Sequence, residues 1–187
     1  MKKAQYADKP LVIDILTQSF QHNLSVNYII KKDGHPKRIE ALMDYSCEMC
    51  YRFGDIFLSN DKKACALLLY PDKKKIVLHL DLQLILRCVG IGNILKTLRR
   101  EKIIHQAHPT SPFAYLWFVG VLPSEQGKGH GSELLQGILD YCDAQQRPIY
   151  LETSTERNLP WYERFGFEEY RRENLSYWVH FFRRNVR

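Results

Sequence analysis

Apolar residues three and four apart announce the first helix of this chain. Asp8 offers a carboxylate cap and Pro10 a first-turn residue, and Ile13, Leu16 and Phe20 then share one face. Lys3 to Ala7, just before it, read as a short strand. A second helix is predicted from Pro36 to about Phe53, where Ile39, Leu42, Met43, Cys47 and Cys50 make a stripe that Gly54 ends. Ile56 to Ser59 and Lys63 to Tyr70 then read as a hairpin, turned at Asn60-Asp61 and closed by Pro71.

Lys73 to Lys75 mark a surface turn, and Ile76 to about Gln106 is predicted to be mostly buried helix, broken near Gly90 and Gly92. Tyr115 to Val121 is a continuous apolar run, as in a strand covered on both faces, and Pro123 ends it. From Gly129 to about Gln145 the residues Leu134, Leu135, Ile138, Leu139 and Cys142 make the clearest helical face in the chain. Pro148 opens a strand through Thr153, Asn158 and Pro160 start a short helix that Gly166 caps, and two strands follow at Phe167 to Arg171 and Ser176 to Phe182. A helical crossover between Tyr115 and Thr153 implies a parallel pair, whereas the early hairpin and the last two strands imply antiparallel neighbours. The expected class is therefore α+β (mixed α/β), one domain over residues 1–187 with a central mixed sheet flanked by helices. No linker, repeat or low-complexity segment divides the chain.

Composition narrows the picture further. With 45% hydrophobic, 26% charged and 12% aromatic residues, the sequence excludes a disordered chain. The start is basic at Lys2 and Lys3, but Asp14 breaks the apolar run from Leu11 to Leu16 and no small-residue cleavage site follows, so secretion by that route is not expected. His79, Asp81 and Arg87 interrupt the stretch from Ile76 to Leu95, so no bilayer-spanning segment and no membrane partner are expected. Five cysteines, an odd number, favour reduced thiols and a cytoplasmic location. The formal charge of +6 favours a polyanionic ligand without choosing among nucleic acid, membrane and a phosphorylated cofactor.

Gln126-Gly127-Lys128-Gly129-His130-Gly131-Ser132 sits where the buried strand gives way to the strongest helix. Glycines at alternate positions let successive backbone N–H groups turn towards one point, and the helix start adds its own unpaired N–H groups. Leu122 and Gly129 break the Walker spacing, and Ser132 breaks the dinucleotide fingerprint. What remains is Gln-x-x-Gly-x-Gly after a strand ending Val119-Gly120-Val121-Leu122-Pro123, which resembles the acyl-CoA pyrophosphate loop of the GNAT superfamily of N-acetyltransferases. The resemblance continues through Tyr150 to Ser154 and through Asn158-Leu159-Pro160-Trp161-Tyr162-Glu163-Arg164-Phe165-Gly166-Phe167, so that specific motifs cover about residues 115 to 170.

The resemblance implies a sheet in which the parallel strands Tyr115 to Val121 and Ile149 to Thr153 splay apart to admit a pantetheine arm. Backbone groups of Val119, Gly120 and Val121 would meet that arm, and the N–H groups of Gln126, Gly127, Lys128, Gly129, His130, Gly131 and Ser132 would hold the pyrophosphate. It implies acetyl-CoA as co-substrate, no metal, and direct transfer to the amine of a small acceptor. Tyr162 matches the superfamily's tyrosine that protonates the departing thiolate, although beside Trp161 and Phe165 it also fits a core position. Many members carry Asn where this chain has Thr155, and Asn158 is the expected substitute. For the general base Glu152 is the nearest candidate, with His79 and Asp81 as outsiders, and an amine arriving deprotonated needs none.

Three other readings accompany this one. A CoA-binding regulatory module without turnover fits Thr155 and the missing strand carboxylate. Nucleic-acid binding fits Arg171, Arg172, Arg183, Arg184 and Arg187 interleaved with Tyr170, Tyr177, Trp178 and Phe182, but strand alternation with solvated arginines gives the same pattern, so no nucleic-acid partner is expected. The apolar residues from Leu82 to Leu98 could pair two chains into a homodimer. Cys47-x-x-Cys50 is expected to be buried apolar surface and His105-x-x-His108 a surface loop, rather than metal sites.

Overall fold

The computed structural model describes residues 1–33, 35 and 37–187. Its strands are β1 (Lys2–Lys3), β2 (Gly54–Leu58), β3 (Ala64–Leu69), β4 (Ala114–Val121), β5 (Ile149–Thr153), β6 (Glu168–Asn174) and β7 (Trp178–Arg184). They form one sheet in the order β1-β2-β3-β4-β5-β7-β6, in which only β4 and β5 run parallel. Its helices are α1 (Lys9–Phe20), α2 (Leu24–Ile29), α3 (Lys37–Phe53), α4 (Leu78–Leu84), α5 (Ile94–Ala107), α6 (His130–Ala144) and α7 (Leu159–Arg164). The fold is a mixed α/β domain of the expected class.

Strand β3 shows why the sheet needs cover on both sides. All six of its residues are buried. Cys65, Leu67 and Leu69 pack with Ile15 and Leu16 of α1 and Met43, Cys47 and Cys50 of α3, while Ala64, Ala66 and Leu68 pack with Leu134, Leu135 and Ile138 of α6. The period of two in the strand thus sends one set of side chains to each helical layer.

Several sequence expectations need correction. The strand expected over Lys3 to Ala7 is only Lys2–Lys3, followed by a 3-10 turn at Tyr6–Asp8. The Asp8 carboxylate does not cap α1. It accepts the Gln5 backbone N–H at 3.0 Å and the Lys62 ammonium at 3.1 Å. The expected start of the second helix at Pro36 lies outside the described residues. Helix α2, only six residues long, carried no periodic signal; its start is fixed by the Asn23 side chain, which accepts the Val26 N–H at 3.0 Å.

Leu78 to Ala107 is helical, starting two residues later than expected, and is broken at Gly90, as expected, through a π-helical turn at Ile85–Val89 and a bend of 99° between its two arms. It is not buried. Leu80, Cys88, Val89 and Ile104 face the core, but Ile76, Leu78, Leu82, Leu86, Ile91, Leu95 and Leu98 are exposed. His108 is not in a surface loop: its ring packs within 5.0 Å of both Phe113 and Tyr115. Arg184, expected to be solvated, is buried and makes a bidentate pair with Asp143 at 2.9 and 2.8 Å.

The parallel pair is the sheet's weak seam. Strands β4 and β5 are in register only at Ala114 with Ile149 and Tyr115 with Tyr150, after which they separate. On its other side β4 is irregular where Leu67 faces Phe118 and Leu68 faces Leu116. Trp117 is the extra residue of this β-bulge. The bulge shifts the side-chain alternation, so that Tyr115, Trp117 and Phe118 all pack in the layer of α1 and α3.

The junction between α3 and β2 tolerates no side chain, because a Cβ on Gly54 would stand 1.9 Å from the Leu68 carbonyl oxygen in the neighbouring strand. Gly54→Ala is expected to lower stability by about 2 kcal/mol or more, since backbone on both sides must yield. A urea denaturation series read by circular dichroism measures this.

Candidate active site

The glycine loop leaves β4 through a 3-10 turn at Pro123–Glu125 and enters α6. Gly127 at φ +80° and Gly129 at φ +93° hold left-handed conformations that a side chain would disfavour. Open space lies where their Cβ atoms would be. Among the described residues, the amides of Gly127, Lys128, Gly129, His130 and Gly131 have no backbone acceptor. That of Ser132 is bonded to the Gly129 carbonyl at 3.0 Å, and that of Gln126 bends back to Pro123 at 3.4 Å. Five of the seven expected amides are therefore free, at the positive end of a fifteen-residue helix.

Side chains of the loop serve its shape. His130 is drawn away to Asp61 at 2.8 Å and Glu125 at 3.4 Å, and Lys128 reaches Glu125 at 3.2 Å. The Ser132 hydroxyl accepts the Trp161 indole N–H at 2.9 Å, tying α6 to α7. The Gln126 side-chain amide donates to the Val121 carbonyl at 3.3 Å.

Ahead of the loop the strand presents alternate backbone groups to its two sides. The Leu122 N–H donates to Lys63 O on the β3 side at 3.0 Å. Gly120 shares that direction, and its α-carbon lies against Leu16 and Ser19 of α1. Val119 and Val121 consequently turn towards β5, where pairing has ceased. The Val121 carbonyl accepts the Ser19 hydroxyl at 2.8 Å.

A cavity of about 500 Å³ begins at this gap and runs under α2, α4 and α5. Val119, Thr155, Asn158 and Tyr162 line it beside the gap, Tyr45, Asp81, Trp117 and Glu152 line it further in, and Glu101, whose side chain is 55% exposed, stands at its edge. Its size suits a small-molecule ligand. Asn158 sits at the N-cap of α7 without capping it, which leaves its side-chain amide available. The Tyr162 ring is held by Trp161, Phe167 and Phe182, yet its hydroxyl has no protein partner among the described residues. Burial first, and then the charge of Glu152, push the Tyr162 phenol well above its ordinary value. It remains protonated at neutral pH.

Glu152 is buried at the inner end. Its Oε1 accepts the Tyr115 hydroxyl and lies 3.7 Å from the Arg100 guanidinium, and its Oε2 is 4.0 Å from His108 Nε2. Burial raises the carboxyl to about 7 against the opposing pull of Arg100 and Tyr115. Burial also lowers His108 to about 4, so the imidazole is neutral at pH 7 and the pair is not ionic. Glu152 Oε2, His108 Nε2 and Arg100 Nε are buried polar atoms without hydrogen-bond partners. Of the two outsiders, Asp81 lines the cavity and accepts the Tyr45 hydroxyl at 2.8 Å, whereas His79 is exposed on α4.

Sequence reasoning missed Tyr45, Arg100, Glu101 and Trp117, because α3, α5 and β4, remote from one another in the chain, bring them together. Only the run of aromatics in Tyr115-Leu116-Trp117-Phe118 could have pointed to one of them. Cys47 and Cys50 are fully buried, and no group of three or more His, Cys, Asp or Glu able to hold a metal occurs among the described residues.

The acetyltransferase (GNAT) family model matches residues 87–167, from the end of the first helical arm to the start of β6. An uncharacterized N-acetyltransferase of Schizosaccharomyces pombe is 51% identical over 53 residues, which cover 28% of this chain and 22%, about a fifth, of that relative. A crystal structure of a histone acetyltransferase and related acetyltransferase from Corynebacterium glutamicum has a TM-score of 0.72 at 21% identity, over 100% of this chain and 95% of that one. Arylalkylamine N-acetyltransferase 2 from Aedes aegypti has a TM-score of 0.67 at 14% identity, over 100% and 98%. At these identities the two structures speak for the fold, and the stretch that carries the glycine loop and the splayed strands is similar to the GNAT acetyltransferase family.

Proposed function

We propose that this protein is an acetyl-CoA-dependent N-acetyltransferase that acts directly on the primary amine of a small acceptor. One observation carries the reading: a single cavity joins the gap between β4 and β5, the unpartnered Tyr162 hydroxyl and the buried Glu152 carboxylate. The residues fit the co-substrate. Five free amides at a helix start suit a diphosphate, and the separated strands offer the peptide groups of Val119 and the Val121 N–H to an amide-bearing arm, the Val121 carbonyl being held by Ser19 and Gln126. Acetyl-CoA supplies the activated acetyl thioester.

The chain's own groups then divide the work. Asp81, Glu101 and Glu152 outnumber Lys74 and Arg100 in the cavity lining and so favour a cationic amine, and Phe20, Tyr45, Trp117 and Phe118 cover its apolar body. An acceptor with an aromatic or alkyl body and a terminal amine is thus favoured, in keeping with the arylalkylamine enzyme among the structural neighbours. Glu152, with a carboxyl near neutrality, takes the proton from nitrogen. The Val119 N–H faces the gap and donates to the developing oxyanion. As the N–C bond forms and the C–S bond breaks, the nitrogen releases its second proton to solvent, and Tyr162 gives its proton to sulfur and recovers one from solvent.

A thiol-release assay of acetyl-CoA against aromatic, aliphatic and peptide amines tests the reading, and absence of release with every amine, alongside retained CoA binding, favours the silent binding module instead. Tyr162→Phe is expected to lower kcat about a hundredfold while leaving the KM for acetyl-CoA within a factor of about three. The pH profile carries a second prediction. Glu152 accepts a proton only as the carboxylate, so kcat/KM is expected to rise with pH through about 7. Glu152→Gln should remove that rise and most of the rate, as measured by steady-state kinetics across pH.

A further inference from the structure

Ten large apolar residues are exposed among the described residues; six of them, Leu78, Leu82, Leu86, Ile91, Leu95 and Leu98, fall in one bent helical segment and Ile76 lies just before it. Their spacing is regular. Leu78, Leu82 and Leu86 follow one another by four positions along the first arm, and Ile91, Leu95 and Leu98 by four and three along the second. Each arm therefore turns a greasy stripe to solvent while Leu80, Cys88 and Ile104 face the core. An apolar surface of this extent is not left open in a soluble domain without a use.

Charge says what it meets. Residues 73–102 hold eight Lys and Arg against Asp81 and Glu101, a formal +6 that equals the charge of the whole chain. The rest of the molecule is balanced. Lys73, Lys74, Lys75, Arg87, Arg99 and Lys102 are exposed around the stripes, and Asp81 is turned inward to Tyr45. A second copy docking here would bring two segments of +6 together. A surface both apolar and anionic satisfies every group at once, and a bilayer with acidic headgroups is such a surface.

We propose that the bent pair α4 and α5 lies in the interface of an anionic membrane, with its leucine and isoleucine stripes among the acyl chains and its lysines and arginines at the headgroups. No single helix among the described residues is long and apolar enough to cross a bilayer, although the bent pair taken together has the composition. Lying in the plane of the interface requires no crossing. The inner sides of the same arms, through Leu84, Ile85, Val89 and Ile94, line the cavity. Lipid contact on one side of these helices thus bears directly on the wall that receives the acceptor.

Vesicle flotation of the full chain tests the proposal. Protein should float with phosphatidylcholine vesicles containing phosphatidylserine, stay behind with phosphatidylcholine alone, and detach as salt is raised. Replacing Lys73, Lys74 and Lys75 by Gln should weaken partition about a hundredfold, at about fivefold per charge. The double variant Leu82→Gln, Leu95→Gln alters side chains 53% and 82% exposed, so its circular dichroism should match the parent while its flotation falls at least about tenfold. Failure of the parent to float with anionic vesicles overturns the proposal, as does undiminished flotation of the leucine variant. Self-association of the parent in sedimentation equilibrium that the leucine variant abolishes would assign the surface to a second copy.

Discussion

Two strands that run side by side and then part company set the terms for this molecule. A parallel pair inside a covered sheet normally bonds along its length, because an unpaired buried peptide group is costly. Here β4 and β5 bond over two positions only. The separation is maintained from outside the seam. The extra residue Trp117 bends β4, α1 presses on it at Gly120, and Ser19 holds the Val121 carbonyl. Tyr162, the inner cavity and the glycine loop are all arranged about the opening that results.

Electrostatics at the inner end follow from the same geometry. Glu152 belongs to β5 at a level where β4 no longer pairs with it, and its carboxylate reaches the Arg100 guanidinium and Tyr115 hydroxyl rather than solvent. Burial acts oppositely on the acid and on His108, raising one and lowering the other, because each resists its own charged form. A neutral imidazole and a carboxyl raised towards neutrality thus stand 4.0 Å apart without forming an ion pair.

Much of this was legible in the chain, and the limit was distance along it. Strand β4, helix α6 and the loop between them were readable because hydrophobic period and glycine spacing are local. Asn158, Pro160 and Gly166 likewise framed α7 by their backbone preferences alone. The bulge at Trp117 was not readable, since it exists only in the register against β3. Periodicity also identified the helices of residues 76–106 without revealing which of their two apolar faces meets the core. Arg184 and His108 escaped for a related reason: their partners Asp143, Phe113 and Tyr115 are supplied by tertiary packing, and residue type alone predicts solvent.

All five sulfhydryls, at Cys47, Cys50, Cys65, Cys88 and Cys142, are buried, and burial lifts Cys47, Cys88 and Cys142 to about 12 and Cys50 and Cys65 well above their ordinary value. None lines the cavity. The cavity wall therefore offers no sulfur nucleophile of the protein, and a dye that stains mercaptans sees a dark background until the native packing is undone.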